Sequence, residues 1–139
     1  MKRSFAVLAA IFIVSLGVFI QTASAQEDPT RLIKQLEDDS DRFSNSVTKA
    51  LDKSRFDGTS TEDQLIRYVR DFEDSIDRLK KGWDNGEDPT LLAREVQTRS
   101  KAIDKFLKKY PLGGSVATDW GTVRSDLIRL KNTKMIKTS

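Results

Sequence analysis

The feature that most restricts this chain is a run of apolar residues at helical spacing. Leu65, Val69, Phe72, Ile76, Leu79 and Trp83 follow one another at intervals of 4, 3, 4, 3 and 4. Such spacing lines up on one face only if the segment is an α-helix of about six turns. The rhythm returns in Val116, Trp120, Val123, Leu127 and Leu130, spaced 4, 3, 4 and 3. Leu32, Leu36, Phe43, Val47 and Leu51 mark an earlier helix, and Leu92, Val96, Ile103, Phe106 and Tyr110 one between the two seams. No stretch of four or more residues alternates with period two, so strands are not expected.

Punctuation agrees with this division. Asp28-Pro29 and Asp88-Pro89 each set a capping carboxylate before a proline, whose missing N–H costs nothing in a first turn. Gly58 is expected to end the first helix in a left-handed cap, and Thr61 with Gln64 to form a capping box for the second. Asn85-Gly86 stops the second helix, and Pro111 with Gly113-Gly114 separates the third from the fourth. Four amphipathic helices joined by short loops predict an all-α fold, an up-down-up-down four-helix bundle. Trp83 would close one end of its core and Trp120 the other. A three-helix bundle with a loosely held first helix is the alternative. An offset of 60 places Glu27-Asp28-Pro29-Thr30 on Glu87-Asp88-Pro89-Thr90, a pattern that duplication or plain helix-start chemistry would produce.

The first 25 residues read as a cleaved signal peptide. Met1-Lys2-Arg3 is positive, Ala6 to Ile20 is apolar and uncharged, and Ala23-Ser24-Ala25 offers the small-x-small cleavage pattern. That run falls short of the roughly 20 apolar residues a spanning helix needs. Residues 26–139 are then one exported bundle domain, periplasmic or secreted, with no transmembrane segment.

With no Cys and no His, the chain has no disulfide, no thiolate nucleophile, no imidazole base and no N or S metal ligand. Met135 is the one methionine after the leader, so haem ligation by a methionine pair is excluded. No cofactor or metal is expected. Asp57, Thr59, Thr61 and Asp63 alternate oxygens as calcium loops do, but Gly58 stands out of register and no closing Glu follows. Arg67–Asp71, Arg70–Asp74, Asp74–Arg78 and Asp77–Lys81 are i, i+4 pairs that suit a solvated helix face. Ser40 and Ser100 fall mid-helix near the apolar faces, as small packing partners. No serine sits on a glycine-flanked turn and no carboxylate falls on the apolar seams, so a secreted hydrolase finds little support and a non-enzymatic role is expected.

Charge is where function shows. Residues 26–90 hold 17 Asp+Glu against 11 Lys+Arg, and residues 91–139 hold 4 against 11. In the basic half, Lys101, Lys105, Lys108 and Lys109 share one outward stripe, a candidate anion-binding site. An anionic envelope component or an acidic protein is the partner such a stripe suits. No aromatic interleaves the lysines on the expected outer face, so base stacking and sequence-specific nucleic-acid binding are not expected. The competing reading is a structural or stress-type envelope protein whose acidic and basic hairpins pair with each other.

From Leu36 to Leu79 the wording is distinctive: Asp41-Arg42-Phe43, Ser54-Arg55-Phe56-Asp57-Gly58 and Asp71-Phe72-Glu73, followed later by Asp119-Trp120, Val123-Arg124 and Asp126-Leu127. It resembles a group of uncharacterised small exported bacterial α-helical proteins that share these patterns over most of the chain. The resemblance implies a helical fold and export and no particular activity. Where an aromatic ending would match that group, this chain closes Met135-Ile136-Lys137-Thr138-Ser139.

Overall fold

The structure is a computed structural model that describes residues 26–135; the expected signal peptide and the last four residues of the tail lie outside the described residues. Four helices make up the fold: α1 Pro29–Leu51, α2 Ser60–Asp84, α3 Thr90–Lys109 and α4 Gly114–Asn132. Among the described residues there is no strand, and no helix is long and apolar enough to cross a membrane.

Both Asp-Pro starts behave alike. Asp28 Oδ1 accepts the Thr30 N–H, and Asp88 Oδ1 the Thr90 N–H, each at 3.0 Å. That backbone bond holds the Asp88 carboxyl below its ordinary pKa. The first helix stops earlier than expected, at Leu51. Ser54 is the reason: its hydroxyl donates to the Leu51 carbonyl at 2.9 Å and accepts the Phe56 N–H at 3.0 Å, drawing the chain out of the helix. Gly58 does take the left-handed conformation (φ +71°), but as the last residue before the α2 cap.

That cap is Thr59, two residues before the expected Thr61. Thr59 Oγ1 accepts the Glu62 N–H at 3.4 Å, and the Glu62 carboxylate reaches back to the Gly58 N–H at 2.5 Å. Thr59 to Glu62 has the same spacing as Thr61 to Gln64, and the charged member wins because a carboxylate also complements the helix N-terminus. Thr59→Ala should cost about 1 kcal/mol in urea unfolding, and Thr61→Ala close to nothing. Equal losses, or a larger one at Thr61, would restore the later cap.

The seams become the core. All six residues of the α2 seam and all five of the α4 seam are buried, together with Leu32, Leu36, Phe43, Val47 and Leu51 of α1. α1 packs chiefly on α4 and also on α2, and α2 packs on α3, whereas α3 and α4 scarcely meet. The first helix is therefore firmly held, which removes the three-helix alternative. Trp83 lies at the end of α2, its Nε1 donating to Thr30 Oγ1 at 2.8 Å. Trp120 does not close the other end. Its ring sits 4.8 Å from Phe43 and 5.6 Å from Phe72, between centroids, in the interior. The indole N–H donates to Asp104 at 2.8 Å, so the one polar atom of this inserted ring is satisfied.

Charged residues on α2 reach sideways, not along the helix. Lys80 meets Glu37 of α1 at 2.6 Å, Arg78 meets Glu95 of α3 at 2.6 Å, and Asp71 meets Arg99 of α3 at 3.8 Å. None of the four expected i, i+4 pairs forms among the described residues; Asp71 and Arg78 turn instead to Arg99 and Glu95 of α3.

Candidate anion-binding site

On α3 the helical period sends Val96, Ser100, Ile103 and Phe106 inward and leaves Lys101, Lys105, Lys108 and Lys109 exposed. Lys101, Lys105 and Lys109 stand one turn apart and line a groove of ≈ 540 Å³ between α3 and α2. Its other walls are Gln64 and Tyr68 from α2, with Phe106 and Tyr110 below. Lys108 is exposed but stays outside this groove. At 3.6 residues per turn, Lys109 lies about 100° around the helix from Lys108, on the side that faces α2. The stripe thus divides into three lysines that line one groove and one that does not.

Aromatic rings stand beside these lysines, contrary to the expectation from sequence. Tyr68 and Phe106 meet edge-on at 6.4 Å, Phe106 and Tyr110 lie 5.0 Å apart, and Tyr110 meets Phe56 edge-on at 5.3 Å. They escaped notice because Tyr68 comes from α2 and Tyr110 from the cap of α3, outside the lysine register. The Lys109 ammonium lies 5.0 Å from the Tyr110 ring centre, in cation–π range. Gln64 Nε2 donates to the Tyr68 hydroxyl at 3.0 Å, which orients that hydroxyl at the groove wall.

Three of the four arginines of the basic half pair with carboxylates, and its described lysines do not. Arg99 pairs with Asp71 and Glu95, Arg124 with Asp104, and Arg129 with Glu27 and Asp126. Lys101, Lys105, Lys108 and Lys109 make no ion pair among the described residues. Internal pairing between the two charged halves is therefore real, but it uses the planar, multidentate guanidinium groups and leaves the ammonium groups to solvent.

Two carboxylates are buried where the sequence reading placed none: Asp39 of α1 and Asp126 of α4. Gln35 Nε2 donates to Asp126 Oδ1 at 3.3 Å and Arg129 at 2.8 Å, while Arg42 donates to Asp39 at 2.8 Å. Asp126 Oδ2 has no hydrogen-bond partner. Burial, then the facing Asp39, pushes the Asp126 carboxyl up to about 7. Burial likewise raises Glu73, against a bond from Ser44 that lowers it.

The remaining singled-out residues serve local structure. Ser100 is buried and donates to the Gln97 carbonyl at 2.7 Å, and Ser40 is buried in the α1 face. Thr59 of the alternating-oxygen loop donates to the Phe56 carbonyl at 2.6 Å while capping α2. Among the described residues no three carboxylates cluster as a metal set would require. No family model, curated protein or solved structure matches the chain.

Proposed function

We propose that the chain is an exported, non-enzymatic interaction module, an up-down-up-down bundle that binds an anionic envelope component through Lys101, Lys105 and Lys109. The observation that carries this reading is a row of three exposed lysines along one groove, none of them in an ion pair among the described residues. The up-down topology is supported by the order of contacts. Thr30 meets Trp83 and Glu37 meets Lys80, while Gln35 meets Asp126 and Ser46 meets Asp119, so numbers rise on α1 as they fall on its neighbours. Export rests on the charged start, apolar run and Ala23-Ser24-Ala25 of the sequence, and on the resemblance to small exported helical proteins.

Sequence-specific nucleic-acid recognition is not part of this reading. Phe106 is buried, and Tyr68 and Tyr110 are half-buried with their rings engaged by neighbouring aromatics, which leaves no free platform for bases. The second reading, a structural envelope protein, is favoured by the cross-half pairs Arg99–Asp71 and Arg129–Glu27.

Binding to vesicles rich in anionic phospholipid, at low and physiological salt, separates the two. A lysine close to an anionic surface contributes about 1 kcal/mol, so changing Lys101, Lys105 and Lys109 to Glu should weaken binding by about a hundredfold or more. Lys108→Glu, outside the groove, should weaken it much less. Binding should also fall steeply as salt screens the charges. No association even at low salt, or equal losses for the triple variant and Lys108→Glu, would leave the structural reading standing.

A further inference from the structure

A second opening lies on the other side of α3. Because α3 and α4 scarcely meet, a groove of ≈ 750 Å³ remains between them. Ala93, Leu130 and Met135 give it an apolar floor, and each also packs against the core. Arg94, Lys101, Lys131 and Lys134 stand around it, and no carboxylate lines it. None of these four cations makes an ion pair among the described residues, although other arginines of the same half all do. Gln97 ties α3 to α4 by donating to the Leu127 carbonyl at 2.7 Å, so its amide holds the groove's shape.

The size falls within the roughly 300–1,000 Å³ of small-molecule sites. An apolar trough with a purely cationic rim complements a molecule that has a hydrocarbon chain at one end and a negative charge at the other. Lysine and arginine stems are themselves apolar and lengthen such a wall, with the charge carried at the far end of each. We infer that the α3–α4 groove binds one molecule of a single-chain anionic amphiphile. Its alkyl chain lies over Ala93, Leu130 and Met135, and its phosphate or carboxylate head sits among Arg94, Lys101, Lys131 and Lys134. The site shares only Lys101 with the groove on the α2 side. The concave trough suits one chain, where a bilayer would present a flat surface.

Calorimetric titration of the purified protein with dodecyl phosphate, kept below its critical micelle concentration, tests this. One-to-one binding is expected, at least tenfold tighter than inorganic phosphate or dodecyltrimethylammonium. The exposed pair Arg94→Glu with Lys131→Glu should weaken it at least tenfold, with thermal melting followed to show that the variant folds. Lys105→Glu with Lys109→Glu, on the other groove, should leave it within twofold. Absence of binding, equal binding of the cationic amphiphile, or indifference to the Arg94/Lys131 pair overturns the inference. Association seen only with micelles or vesicles also overturns it, in favour of a membrane-surface contact. Loss confined to the Lys105/Lys109 pair overturns it too, while leaving the proposed lysine site intact. Dodecyl phosphate binding that survives a failed vesicle experiment separates the two sites in the opposite sense.

Discussion

Phe72→Ala is expected to destabilise the protein by about 3–5 kcal/mol, the range for emptying a core aromatic position. Phe72 is fully buried, and its ring forms one wall of the slot that holds Trp120. The loss should fall toward the upper part of that range. For Trp120 to lean into the cavity, its indole would have to leave Asp104, to which it donates at 2.8 Å, and a buried N–H would go unpaired. The other wall, Phe43, is also fully buried, on α1. Because domains of this kind have about 5–15 kcal/mol in total, about a fifth or more of the stability would vanish. Urea unfolding measures it, with an unchanged slope showing that the native fold is retained. A loss under about 1 kcal/mol would mean that the α2 seam does not form the centre of the core.

Stability should decline as pH rises from about 4 to about 7, the reverse of ordinary acid denaturation. Asp126 ionises near its usual 3.8 in the unfolded chain and at about 7 in the folded one. Between those values the folded state holds a proton that the unfolded state has lost, so raising the pH favours unfolding. The contribution is complete below about 4 and gone above about 7. Each pH unit within the window is worth at most about 1.4 kcal/mol. The physical cause is burial first and the facing Asp39 second: a proton on the otherwise partnerless Asp126 Oδ2 lets one carboxyl donate to the other across α1 and α4. Arg42, Arg129 and Gln35 already occupy the remaining lobes of the pair, and Glu27 shares Arg129. Glu73, raised by burial, acts in the same direction. Asp126→Asn should flatten most of the slope and raise the melting temperature at pH 8, since the amide supplies the missing donor without the charge. A flat wild-type profile, or an equally steep one in the variant, would show that the pair is not sharing a proton.

The helices could be read from sequence because burial of a helical face leaves a periodic record. Leu65 through Trp83 and Val116 through Leu130 are buried to the last member. Helix starts were as legible, since Asp28 and Asp88 act on residues only two positions away. What failed were choices between equal local options. Thr59–Glu62 and Thr61–Gln64 both satisfy one capping pattern, and nothing short of the chain's path after Ser54 selects between them. Asp39 and Asp126 could have been noticed: Asp39 is three after Leu36 and four before Phe43, and Asp126 three after Val123 and four before Leu130. Charge ordinarily marks exposure and so masks them, whereas two carboxylates on facing helices make burial tolerable for each other through a proton. The lysine row of the site followed from α3 periodicity alone. Its aromatic wall and the second groove arise from how far α2 and α4 stand from α3, which single-helix patterns do not encode.

The pairing of α1 with α4 has a consequence in time. The larger share of α1's buried face is covered by the last helix to be made, and Gln26 even donates to the Lys134 carbonyl at 3.1 Å. α1 can pack on α2 from close by in the sequence, but its α4-facing side is covered only when residues such as Gln35 and Asp126, 91 positions apart, come together. Contacts so distant in sequence delay closure. The α1–α4 seam is thus the part of this core with the most chain entropy to overcome before it can form.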